Sequence, residues 1–244
     1  MSGVGQRKHG AGTLRHVSES IPDLGCLMDE NEGAVDAAEI IYTPLYKYKS
    51  LFGDSKRHVR DLIVSQSLYF ASPGALNDPF DCRPYLETSA SFREQQKRLV
   101  TAIRWREDMS RVEAKRRARE ISPARTLEIL HEAAERAFQS AGVFSLTSNP
   151  LDLLMWPHYG DSHRGICVRF DPHALMRAGH YPYGVTYADE RPICDTVRVD
   201  PGIWVHRALM TKGSNWSYEK EARLIQPKLG GTAVIVESPS IDGV

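Results

Sequence analysis

The 244 residues, 25% of them charged and 41% hydrophobic, have the make-up of a soluble globular protein long enough to bury a core in one or two domains. Lys and Arg number 31, as do Asp and Glu, so no overall field draws the chain toward nucleic acid or a membrane; such contact would need a local patch. Cys26, Cys82, Cys167 and Cys194 form no CxxC pair, no apolar run approaches the ~20 residues needed to cross a bilayer, and the basic N-terminus lacks the apolar stretch of a secretory signal. A cytoplasmic protein with no membrane contact, disulfide framework or zinc ribbon is the expectation.

Residues 1–40 are rich in Gly, Ser and acidic side chains with little periodicity, the pattern of a flexible leader ahead of a single domain at 41–244. IIYTPLYKY (40–48) suits a strand. SKRHVRDLIVSQ (55–66) sets Val59, Leu62 and Ile63 at i, i+3 and i+4 on one face of a short helix. SLYFASP (67–73) reads as a buried strand stopped by proline. PGALNDPFD (73–81) is turn chemistry, in which Asn and Asp bond their own backbone.

Residues 91–141 are helical by several signs. Ser91 with Glu94 matches a capping box, Leu99, Ile103 and Arg106 share a stripe, and Ser122-Pro123 opens a second helix with Leu127, Leu130, Ala134 and Ala137 on one face. Gly142 is a natural stop. Beyond it, short branched or aromatic runs at 143–147, 165–170, 184–189, 222–227 and 232–237 predict strands, with short helices at 171–180 and within 199–213. Strands framing a two-helix insertion at about 89–142 predict the α+β class.

The chain lacks the GxGxxG, Walker A, GxSxG and HExxH motifs, which disfavours a Rossmann dehydrogenase, P-loop NTPase, serine hydrolase or zincin. His158 and His163 lie five apart, on different faces of a helix or a strand, so joint metal ligation requires an irregular loop. The plainer reading packs Trp156 and Tyr159 into the core with one functional His nearby. RVEAKRRARE (111–120) offers a phosphate-binding patch, but Glu113, Glu120 and Asp108 are expected to neutralise part of it, and a solvated helix face is the simpler expectation.

SNWSYEKEARL (214–224) holds Glu219 and Glu221. In a helix, Glu219 and Arg223 would form an i, i+4 pair; in a strand, Glu219, Glu221 and Arg223 would share one face. Gly213, Ser214 and Asn215 disfavour a helix, and Leu224-Ile225 favour the strand. Two like charges on one face need solvent, a cation or a cationic ligand between them.

LYKYKS (45–50), LYFASPGALNDPFD (68–81), MWPHYGDSHRGICVRFD (155–171) and WSYEKEARL (216–224), in that order, resemble the blocks of a bacterial family known as domain of unknown function 2971. Some of its members are similar to proteins of mobile elements and phage-defence loci, which implies an effector role. A second resemblance, to the ADP-ribosyltransferase-like superfamily, rests on Tyr46-Lys47, Tyr69-Phe70-Ala71-Ser72 and Glu219-Lys220-Glu221, although Lys47 stands where His or Arg is usual. It implies a small mixed or antiparallel β core and NAD as co-substrate for modifying a macromolecular acceptor, protein or nucleic acid. By the same resemblance Glu221 would act on the ribose, Glu219 would orient the acceptor, Lys47 would grip ribose or pyrophosphate and Tyr69 would stack on nicotinamide. Tyr46, Tyr48, Ser72, His158 and Arg223 would complete the NAD pocket. Two rival expectations are a non-catalytic recognition module and a metal-dependent hydrolase or nuclease built on His158, His163, Asp78 and Asp81.

Overall fold

The computed structural model describes residues 39–53, 55–78, 80–236 and 240–244, so the expected leader and Cys26 lie outside the described residues. In chain order, β1 (Leu45–Lys49) leads to α1 (Ser55–Ser65), β2 (Ser67–Phe70), a 3₁₀ turn at Pro73–Ala75 and β3 (Tyr85–Glu87). Three helices follow: α2 (Phe92–Glu107), α3 (Arg111–Arg119) and α4 (Pro123–Gln139). The chain then forms β4 (Gly142–Thr147), α5 (Met155–Tyr159), β5 (Ile166–Phe170), α6 (Pro172–Arg177), β6 (Tyr183–Gly184), β7 (Thr186–Ala188) and β8 (Ile193–Asp195). It ends with α7 (Pro201–Leu209), β9 (Thr211–Gly213), a 3₁₀ segment at Ser214–Glu219, β10 (Glu221–Gln226), β11 (Thr232–Ile235) and β12 (Ile241–Gly243).

The class is α+β. An antiparallel six-stranded sheet runs β12-β5-β1-β4-β10-β6, beside an antiparallel β2–β11 pair and two short parallel pairs, β3–β8 and β7–β9. Alternation sends Leu45, Phe144, Leu146, Val168, Phe170, Ala222 and Leu224 into one core, which Leu68 and Phe70 of β2 and Leu62 of α1 cover. Burying each such large side chain contributes about 1.5–3 kcal/mol. Among the described residues no helix is long and apolar enough to cross a membrane.

The insertion between β3 and β4 holds three helices rather than the expected two. The missed break is at Asp108, in the left-handed region at φ 47°, followed by a second capping box in which Ser110 and Glu113 bond each other's backbone. A hydroxyl able to take the N3 amide of a new helix makes starting again as favourable as continuing. Leu99, Ile103, Ala114, Ala118 and Leu130 give these helices their own core. On α4 the buried stripe is Thr126, Leu130, Ala134 and Phe138, and the expected Ala137 is exposed.

Candidate functional site

The sheet splits between β1 and β4. Along β4, six consecutive residues pair with β10, whereas β1 pairs with β4 only at Tyr46–Thr147 among the described residues. Four residues along, the vacated edge is taken from β2: Ala71 and Val143 exchange both backbone hydrogen bonds, at 2.9 and 2.8 Å. Gly142 allows that approach, since a Cβ there would lie 2.7 Å from the Cβ of Phe70. Ser145 sits midway between the two bridges, and strand alternation turns its carbonyl to the same edge. Among the described residues no strand reaches that carbonyl; it accepts a hydrogen bond from Lys47 Nζ at 2.5 Å. A cavity of about 260 Å³ occupies the opening.

One wall of this cavity is a buried ionic cluster. Lys212 Nζ donates to Glu219 Oε2 at 2.5 Å and to Glu221 Oε2 at 2.9 Å, and lies 3.8 Å from Asp81 Oδ2. Behind it Arg223, at 0% exposure, donates Nε to Glu221 Oε1 at 2.8 Å, Nη2 to Glu221 Oε2 and Asp81 Oδ2, and Nη1 to the Leu209 carbonyl and Cys82 Sγ. Five acceptors thus meet the five N–H groups of one guanidinium. Tyr159 Oη donates to the second oxygen of Glu219 at 2.7 Å and accepts from Asn77 Nδ2 at 3.1 Å. Three carboxylates face two cations, so the cluster carries one excess negative charge beside the cavity.

Electrostatics divide the two lysines. Burial alone would lower Lys212, but the carboxylates of Glu221 and Glu219 outweigh it and hold the amine protonated well above its ordinary value. Lys47 has no such partner: burial, reinforced by Lys49, lowers its amine to about 7 against a weaker pull upward from Glu221. It lies 4.2 Å from the centroid of the Phe144 ring. Burial raises the Glu221 carboxyl, yet Arg223 and Lys212 overcome this and hold it down at about 2. The Tyr159 phenol is pushed up, chiefly by burial.

Of the residues expected at the site, Lys47, Tyr69, Glu219, Glu221, Tyr46 and Tyr48 line the cavity. Tyr69 is 48% exposed and stacks near His58, ring centroids 6.1 Å apart; Tyr48 is buried and donates to the Asn149 carbonyl. Three expectations need correction. Arg223 is not free for a cofactor, because its parity on β10 turns it to the Glu221 face, where its donors are consumed. Ser72 and His158 do not line the cavity: Ser72 precedes the Pro73–Ala75 turn, and His158 is exposed on α5 beside Trp216. Glu219 is not on a strand with Glu221, because the 3₁₀ segment ends at Lys220 in the left-handed region at φ 43° and β10 begins after it. That turn nevertheless swings both carboxylates onto Lys212.

His163 lies near Trp156, Asp78 accepts the Phe80 amide, and Asp81 pairs with Arg223. Among the described residues no group of three or more His, Cys, Asp or Glu side chains is placed to hold a metal ion. The sequence reading missed Lys212 and gave the others different roles: Asp81 a metal site, Tyr159 core packing and Asn77 a turn, whereas the structure sets Asp81 against Arg223 and links Asn77 through Tyr159 to Glu219. The need for a cation between Glu219 and Glu221 was the one signal, and it did not say which cation. No protein-family model, curated protein or solved structure matches the chain.

Proposed function

We propose that this chain is an ADP-ribosyltransferase-type enzyme that uses NAD to modify a macromolecular acceptor. The observation that carries the reading is the meeting of Lys47, Tyr69, Glu219 and Glu221, drawn from three separated stretches of sequence, around one cavity. Its volume suits a nicotinamide and its ribose rather than a whole dinucleotide, the remainder lying across the surface. NAD supplies the glycosidic bond that breaks, its electron pair leaving with nicotinamide while the acceptor's nucleophile bonds to the ribose carbon and gives up a proton.

The side chains suit that chemistry. Glu221, ionised and fixed by Arg223, offers negative charge where positive charge develops on the sugar, and the excess negative charge of the cluster adds to it. Tyr69, half exposed at the mouth, supplies a face for the nicotinamide ring. Lys47 and Lys49 stand on the β1 side for ribose and phosphate oxygens. Glu219, held by Tyr159 and Lys212, is placed to orient the acceptor. The resemblance to domain of unknown function 2971 makes a phage-defence or mobile-element effector the setting we infer.

A second reading, a recognition module with no turnover, draws support from the protein partners that each oxygen of Glu219 and Glu221 already has. One experiment separates the two. Purified protein is incubated with NAD and cell extract, and nicotinamide release is followed for the wild type, Glu221→Gln and Tyr69→Ala. Wild-type release, reduced at least about a hundredfold in Glu221→Gln, supports the enzyme. Release unchanged in that variant, or none from the wild type, sinks it.

A further inference from the structure

Residues 92–119 contain ten Lys or Arg against four Asp or Glu, a balance of +6 within a chain that sums to zero. The sequence suggested that neighbouring acids would neutralise this segment; among the described residues three of them, Glu94, Glu107 and Glu113, are held by side-chain partners, whereas no hydrogen bond or salt bridge holds the carboxylates of Asp108 and the adjoining Glu120. Glu94 and Glu113 close the two capping boxes, and Glu94 also meets Arg198. Glu107 pairs with Arg117, and Asp108 forms the left-handed end of α2.

Seven exposed cations have no such partner among the described residues; Arg116 is one, and the other six form two stripes. Arg93, Lys97 and Arg104 on α2, and Arg111, Lys115 and Arg119 on α3, are exposed and make no salt bridge or side-chain hydrogen bond among the described residues. At 100° per residue the first three fall within an arc of about 40°, and the α3 set is an i, i+4, i+8 stripe rising about 6 Å per step. Like charges so placed repel and destabilise an isolated helix. α4 shows the ordinary arrangement instead, Arg125 and Arg136 being paired with Glu128 and Glu132.

We propose that α2 and α3 form a docking face for the phosphodiester backbone of nucleic acid. A cation about every 6 Å supplies roughly one positive charge for every two phosphates of a strand that carries one per 3.4 Å of axis. A membrane-bound helix would set a row of apolar anchors beside its cations, but among the described residues the two helices expose only Phe92 and Val112, and the inner face of α3 is spent on Ala114 and Ala118. This inference is independent of NAD chemistry; if that chemistry holds, it gives the macromolecular acceptor a class.

The test is fluorescence anisotropy with a labelled duplex DNA and a labelled single-stranded RNA, from 50 to 200 mM salt, on the full chain. The wild type should bind at least one probe and lose roughly a hundredfold or more in affinity across that range. The triple variant Arg111→Glu, Lys115→Glu, Arg119→Glu should lose at least about tenfold at the lower salt and show a shallower salt slope. If that variant does not fold, the triple glutamine variant provides the same comparison. Binding unchanged in the variant, no binding to either probe, or binding only to phosphatidylserine vesicles overturns the proposal.

Discussion

Lys212 Nζ lies 2.5 Å from Oε2 of Glu219, a buried ion pair within a wall of the split in the sheet. Two glutamates separated by one residue can be buried together because this amine stands between them, and Arg223 orients the second.

Replacing Lys212 by Met leaves Glu219 and Glu221 short of positive charge out of reach of water. The expected loss is about 3–5 kcal/mol in urea unfolding at neutral pH, since removing one partner of a buried pair is far worse than removing the pair. The triple variant Lys212→Met, Glu219→Gln, Glu221→Gln should recover much of it. A single variant within about 1 kcal/mol of the wild type would contradict the buried cluster.

Glu221 has its folded pKa depressed to about 2 from an ordinary 4.5. A depressed carboxyl stabilises the folded state fully above the unfolded value and loses that contribution as pH falls through the folded one. The unfolding free energy of the wild type, from urea titrations, should therefore drop between about pH 4.5 and 2, by an amount on the order of 3 kcal/mol from this group. The Glu221→Gln variant should show a shallower decline over that window. Parallel curves would remove Glu221 as its cause.

Lys47 shows the opposite behaviour. Its folded pKa of about 7 lies below the ordinary 10.5, so between these values the unfolded chain binds a proton that the folded chain does not. Stability should rise with pH from about 7 toward 10.5, with Lys49, also lowered by burial, adding in the same direction. Lys47→Met should flatten the profile and stabilise the protein below pH 7 by about 1–2 kcal/mol, discounted for solvent at the cavity mouth. Identical profiles for variant and wild type would refute this.

Ser110→Ala tests the extra break in the insertion. Losing the cap should cost about 1 kcal/mol and lower hydrogen-exchange protection over 111–119, while protection of β1, β4 and β10 stays unchanged because none of α3 lines the cavity. Undiminished protection there would mean that the capping box does not start α3.

The α+β class, α1, β2, β4, β5, β10 and the two outer helices of the insertion could be read from local periodicity and turn residues, because the forces that set them act within a few residues. Tyr46, Lys47, Tyr69, Glu219 and Glu221 could likewise be nominated from short motifs. What those motifs face was decided by pairings between distant parts of the chain: Asp81 meets Arg223 across 142 positions, Asn77 meets Tyr159 across 82, and Lys47 reaches Ser145 across 98. Lys212 is only seven residues from Glu219, yet it stands on β9, beyond a 3₁₀ segment and a left-handed turn that no side-chain periodicity announces. Residue types and local periods determined which charges this protein has available. Strand divergence and burial decided which of them are neutralised, which amine is left near neutrality, and where a cavity opens between them.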